Sequence, residues 1–239
     1  MSENQTVLPD QSNPWPRRLM IAGGALMAVI LLGAMAFKIF QPIQVLPRIR
    51  LAPGFSWTDQ DGQRLTNEDL RGKLVLYTFF YTHCPPEACA AQNRVMGDVQ
   101  RRLGELEQAG VPVRLVSVSV DTERDTPQAL SEYARAAGAD PQVWRFASAG
   151  DPRLLKTVVG GGFEVFYQPQ PDGAFQLDPV FVLVDGWGLV RGEYRYTTLS
   201  PESDRIIRHL GVLIDEVQNS SGANRLAYEA AHLFLCYSP

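Results

Sequence analysis

The chain has 239 residues, with 22 lysines and arginines against 26 aspartates and glutamates and a formal net charge of -4. That length suits one well-buried domain with appendages. Without a surplus of positive charge there is no basic stripe to follow a phosphate backbone, so the balance argues against nucleic acid as a partner.

Residues 1–16 are polar and carry Pro9, Pro14 and Pro16. Too few apolar side chains are present to form a core, and the segment reads as a disordered tail. Leu19 to Phe37 then runs without a charge or a proline. At about 1.5 Å rise per residue, such a run spans the hydrocarbon core of a bilayer, which predicts a transmembrane anchor over residues 17–40. The small residues Ala34–Ala36 resemble a signal-cleavage site. The apolar run is longer than a signal peptide needs, and an uncleaved anchor is the favoured reading. Arg17 and Arg18 precede the span while Lys38, Arg48 and Arg50 follow it, so flanking charge does not set its orientation. A short tail, one helix and a folded domain form the usual layout of a signal anchor. The expectation is a single-pass membrane protein with its domain on the periplasmic or extracytoplasmic side, where paired cysteines also persist as disulfides. Residues 41–54, with Pro42, Pro47 and Pro53, read as an extended spacer.

The globular part, residues 55–218, alternates between two periods. Residues 55–66 suggest a hairpin around Asp61-Gly62, and Lys73 to Tyr81 is a near-continuous apolar run, as a strand buried on both faces requires. Val95, Val99, Leu103 and Leu106 recur at helical spacing. Val111 to Asp121 predicts the next strand. Thr126 and Pro127 open a helix that ends near Ala137 at Gly138. A short strand at "VWRFAS" follows, then a helix from Asp151-Pro152 that the glycines Gly160–Gly162 stop. "VFVLVD" and "LVRGEYRY" pair as a hairpin about "GWG", and Pro201 opens a last helix from Glu202 to about Gln218, with Ile206, Ile207, Leu210 and Ile214 inward. This order implies an α/β thioredoxin-like sandwich with a mixed sheet, preceded by one N-terminal transmembrane helix.

Two of the three cysteines, Cys84 and Cys89, stand in "FFYTHCPPEAC" just past the first long strand. A helix N-terminus there favours thiolate. Their spacing leaves open a metal clamp, a redox couple or a plain disulfide that pins the loop. Closure of the pair needs a wide turn, which Pro85-Pro86 would assist by delaying the helix.

"FFYTHCPPEAC" followed by "SVSVDTERDTPQAL", with the opening "FSWTDQDGQRLTNEDLRGK" and the late strand "DPVFVLVDGWGLV", resembles the Sco/SenC family. The resemblance covers roughly Phe55 to Leu213. It implies a membrane-anchored thioredoxin-fold domain that helps load copper into cytochrome c oxidase, with Cys84 and Cys89 as copper ligands. Two departures matter. The family spaces its cysteines as C-x-x-x-C, whereas this chain has one residue more between them. The family also supplies a histidine ligand just before the late strand, where this chain has "LDPVF", with Asp178 and Pro179.

Only three histidines exist, His83, His209 and His232. His83 adjoins Cys84 and is a candidate third ligand, although its bland reading is support of the loop. His209 reads as topping the core or facing solvent. His232 and Cys236 are spaced to share a helix face. Two thiolates suit Cu(I), and the missing imidazole should weaken retention; Glu87 and Asp178 are hard donors and poor substitutes. The C-terminal extension, residues 219–239, reads as a docking helix for a partner or the bilayer. Three functions therefore compete: copper handling in assembly of a respiratory terminal oxidase, exported thiol–disulfide oxidoreductase, and non-catalytic accessory subunit of a respiratory complex that has lost its metal site.

Overall fold

The computed structural model describes residues 15–40, 43–106, 110–196, 202–222 and 224–234. It divides into two units, residues 1–43 and 44–239. The first contains helix α1, Trp15–Phe40, whose window Arg18–Met35 has a mean hydropathy of 2.0 and no burial inside the protein, and which is long and apolar enough to cross a membrane.

The second unit is built on an eight-stranded sheet in the order β1-β10-β9-β4-β5-β6-β2-β3. Its strands are β1 (Arg50–Leu51), β2 (Ser56–Asp59), β3 (Arg64–Thr66), β4 (Leu74–Phe80), β5 (Val113–Ser119), β6 (Trp144–Ser148), β9 (Val180–Val184) and β10 (Leu189–Arg195). A separate hairpin joins β7 (Tyr167–Pro169) to β8 (Phe175–Leu177). Strands β4, β5 and β6 run parallel, linked by α2 (Pro86–Leu106) and α3 (Pro127–Ala136), and β9 lies antiparallel on the other side of β4. This is the mixed sheet that the alternating pattern predicts.

The apolar run in β4 is explained by its central place. Alternate side chains point to opposite faces, so Leu74, Leu76 and Phe80 enter one core and Val75, Tyr77 and Phe79 the other. The first core lies under α2, α3 and α5 (Ser203–Asn219), with Met96, Val99 and Leu103 from α2 and Ile206, Leu210 and Ile214 from α5. The second lies beneath the β2–β3 hairpin and the short helix α4, Pro152–Leu155. Thr126 caps α3 by accepting from the Ala129 amide, and Gly138 follows with φ 71°, as the capping residues indicate. Pro201 falls outside the described residues.

Four expectations change. Gly160–Gly162 do not stop the helix; α4 widens into a π turn over Lys156–Gly162 that contains them. Gly162 is needed there because a Cβ would run into the ring of Pro53. Residues 41–54 are not all spacer: Val45 and Leu46 are buried, and Arg50 and Leu51 pair with Val190 and Leu189. The prolines in and around "VLPRIRL" conceal an edge strand, whose partner Leu189-Val190 is remote in the sequence.

The third change concerns the extension. Helix α6 (Asn224–Phe234) folds back on α5 of the same chain, burying Ala231 and placing His232 Nε2 2.9 Å from Glu216. Glu229 accepts two hydrogen bonds from Arg48, and the Tyr228 hydroxyl donates to the Asp215 carbonyl. His232 thus faces Glu216, and its proposed neighbour Cys236 lies outside the described residues. Finally, His209 neither tops the core nor faces solvent. It is buried against β10, with Nδ1 2.6 Å from the Tyr194 hydroxyl, and burial with the nearby Arg205 and Arg208 pushes its pKa down to about 4.

Candidate functional site

Strand β4 delivers Phe80 to the carboxyl edge of the sheet, and the chain turns through Tyr81–Pro85 before α2 begins. The helix starts at Pro86 rather than after it, because a proline in the first helical position loses no bond that the helix needs. Cys89 consequently sits in the first turn, with its amide donating to the Pro85 carbonyl at 3.3 Å. Cys84 is held by its amide on the Tyr81 carbonyl, also at 3.3 Å. The wide turn brings the two Cα atoms to 6.2 Å, and Cys84 and Cys89 form a disulfide.

The two sulfurs differ in access. Cys89 is 7% exposed, whereas Cys84 is half-buried beside the second core. A thiolate arriving from outside therefore reaches Cys84 first, and Cys89 is the shielded member of the pair.

The loop that carries them is braced from the "VDTERDT" segment. Asp125 is 2% exposed and accepts from the Thr82 amide at 3.0 Å, from the Thr82 hydroxyl at 2.5 Å and from the Ser119 hydroxyl. Asp121, also buried, accepts from the Arg124 guanidinium and from the amides of Glu123 and Arg124. Arg124 reaches on to the Gly173 carbonyl in the β7–β8 hairpin, and the Tyr81 hydroxyl donates to the Phe175 carbonyl at 3.3 Å. The hairpin, the acidic loop and the cysteine turn are thereby tied together. On the helix side, the buried Gln92 amide donates to Thr78 and to the Phe79 carbonyl. Sequence reading missed Asp121, Asp125, Thr82 and Gln92 as individual supports; the only available signal was the pairing of acidic residues with Ser and Thr.

His83 is exposed, with Nδ1 2.9 Å from the Thr82 hydroxyl oxygen. Thr82 gives its one hydroxyl proton to Asp125, so the imidazole supplies the proton in this contact from Nδ1. One donor atom each from His83, Asp121 and Asp125 lie within 4.8 Å of one another. Both carboxylates are already engaged by hydroxyl, amide or guanidinium donors, so this cluster is a brace for the loop.

The residues in the place of the family histidine do not supply an imidazole. Asp178 is ion-paired to Arg195 at 2.9 Å, and Pro179 has no donor side chain. Glu87 lies in the first turn of α2 and is exposed. His209 and His232 are committed to Tyr194 and Glu216. Of the sequence candidates, Cys84 and Cys89 are joined, His83 is turned to Thr82 and the Asp121–Asp125 pair, and Asp178, His209 and His232 are held elsewhere. Reduced, the pair would offer two soft sulfurs, a donor set that fits Cu(I) and leaves out the nitrogen that retains Cu(II).

A dithiol/disulfide at the junction of a central strand and the following helix, on a mixed sheet, defines a thioredoxin-like domain. The SCO1/SenC profile matches residues 45–213, and the chain belongs to the SCO1/SenC family. It is 27% identical over 154 residues to the SCO1 protein homolog of Bacillus subtilis, covering 64% of this chain and 77% of that protein. The structure of Bradyrhizobium japonicum ScoI with copper bound aligns with a TM-score of 0.54 at 29% identity, over 67% of this chain and 97% of that one. BsSco, described as having a disulfide switch and as a member of the Sco family of cytochrome c oxidase assembly proteins, aligns with a TM-score of 0.59 at 24% identity, over 71% and 96%.

Proposed function

We propose that this chain is a membrane-anchored assembly factor for the copper site of a respiratory terminal oxidase, with α1 as an uncleaved anchor and the domain on the periplasmic or extracytoplasmic side. Its working element is the Cys84–Cys89 couple. The observation that carries this reading is a disulfide with one reachable and one shielded sulfur on a loop braced from three sides. In the dithiol form the two thiolates hold Cu(I) as cargo; in the disulfide form they hold nothing. The copper-bound relative and the oxidase-assembly relative support this assignment.

The Asp178–Arg195 pair favours a second reading in which electrons, rather than copper, are passed. The Cys84 thiolate attacks a client disulfide and releases one client thiolate. Cys89 then attacks Cys84 in the mixed disulfide, freeing the second client thiol and leaving Cys84 and Cys89 oxidised. An exported dithiol donor restores the pair. The accessory-subunit reading loses part of its support, since α6 is engaged on its own domain.

Competition for Cu(I) against a strong chelator, with the reduced chain and with its Cys84→Ser/Cys89→Ser variant, separates the readings. Tight binding at one equivalent that depends on the cysteines sustains the copper reading. Weak Cu(I) binding with cysteine-dependent reduction of a client disulfide sustains the redox reading. Neither activity would overturn both.

A further inference from the structure

The edge of the sheet where the folded domain begins carries an apolar strip that the site does not use. Ile49 and Leu51 are 46% and 71% exposed, and Trp187, in the turn between β9 and β10, is 80% exposed. They are neighbours. The Ile49 amide donates to the Val190 carbonyl, Leu51 pairs with Leu189, and the Ala52 amide donates to the Gly188 carbonyl. Ile49 and Leu51, two apart on an extended strand, point to one side, and Arg50 points to the other, towards Glu193 and the Phe163 carbonyl. Leu189 and Trp187 line one hollow together with Arg48 and Arg225. An exposed tryptophan beside two leucines and an isoleucine forms an apolar patch of the kind that marks a membrane or partner contact.

The length of chain outside the domain says which occupant. Helix α1 ends at Phe40, and Val45 is already fully buried in the domain. Those five Cα steps reach at most about 18 Å by any path. If α1 spans the bilayer, as proposed above, Val45 stays within about 18 Å of the end of the helix, close enough for the face around Val45 to Leu51 to reach the headgroups. That is the face that carries the strip. Tryptophan prefers the membrane–water interface, where its ring is apolar and its N–H stays wet.

We infer that Ile49, Leu51, Leu189 and Trp187 form a lipid-facing strip that seats the domain on the bilayer, an inference that rests on the proposed anchor. The disulfide lies at the other end of the sheet's central strand: β4 starts at Leu74, paired through β9 to the Val184 end next to the Trp187 turn, and finishes at Phe80 before Cys84. Seating at one end would hold the cysteine turn away from the lipid at a set height.

The test uses the full chain reconstituted in phosphatidylcholine vesicles, in a Trp15→Phe background that removes the tryptophan at the start of α1. Emission of Trp187 is taken as the difference on adding Trp187→Phe; Trp57 and Trp144 are buried and cancel. Replacing the lipid with its brominated form should quench that difference signal at least about twofold, as expected for an indole at interface depth. If the chain floats with the vesicles but Trp187 is quenched only by an aqueous quencher, the strip is no lipid contact and the inference fails while the anchor stands. If the chain does not float with the vesicles after alkaline wash, the anchor and the inference fail together. Leu51→Ser should lessen the quenching without changing flotation; no change would also count against the strip.

Discussion

The decisive property of the Cys84–Cys89 bond is how little it should contribute to stability. It closes a loop whose ends are five residues apart. On the chain-entropy relation, a loop that short removes about 7 cal/mol/K from the unfolded ensemble, or about 2 kcal/mol at 25 °C. A domain of this size is stable by about 5–15 kcal/mol, so reduction should leave it folded. The two cores beneath the loop do not depend on the bond: β4 is hydrogen-bonded on both sides, and Asp125 and Gln92 hold the turn and helix separately. Expressed as a potential for a two-electron couple, about 2 kcal/mol corresponds to about 40 mV, small enough for a cellular reductant to overcome. Urea unfolding of the whole chain in detergent, followed by the buried Trp57 and Trp144, should shift by about 2 kcal/mol between oxidised and reduced protein with an unchanged slope. The Cys84→Ser/Cys89→Ser variant should match the reduced protein. A loss above about 4 kcal/mol, or a non-cooperative transition on reduction, would show that the bond is a structural staple and would refute the working role given to it.

Arg191 is buried and donates to Asp185 at 2.9 Å, to Glu216 at 2.7 Å and to the carbonyls of Leu46 and Pro47. Arg191→Met would take the guanidinium from two buried carboxylates, leaving Asp185 with the amides of Trp187 and Leu189 and Glu216 with His232, and should destabilise by about 3 kcal/mol in the same unfolding assay; a cost below about 1 kcal/mol would mean that the cluster is solvated. Asp125→Ala removes the acceptor of Thr82 and Ser119 and should cost about 2–3 kcal/mol. It should also speed reduction of the disulfide, and an unchanged reduction rate would contradict the bracing role. His209 is held neutral when folded, with a pKa near 4, while the unfolded chain takes up a proton near pH 6.5. Between those values the unfolded state binds more protons, so stability is full above about pH 6.5 and falls as pH is lowered towards 4, by about 2 kcal/mol for this group after allowance for solvent screening. His209→Gln should flatten that part of the stability–pH curve; an identical slope in wild type and variant would exclude His209 as its source.

The sequence by itself determined the elements that rest on local chemistry. The near-continuous apolar run at Leu74–Phe80, broken only by Thr78, reads as a strand covered on both faces, and Thr126, Pro127 and Gly138 mark the ends of α3 through caps that act within one turn. The cysteine pair at the strand–helix junction is likewise legible in order and spacing, as was the apolar span within α1, whereas the missing imidazole at Asp178-Pro179 shows only against the family resemblance. What only the tertiary structure decided was partnership across distance. Nothing in "VLPRIRL" says that its strand partner is Leu189-Val190, or that Arg48 will meet Glu229 from the extension. Nor does local pattern show that Asp125 is the buried acceptor for Thr82, or that Asp178 belongs to Arg195. Caps and periodicity are set by neighbours along the chain and leave a signature at fixed spacing. Buried ion pairs and edge strands are set by the folded surface that happens to lie opposite, and a single sequence carries no spacing for that.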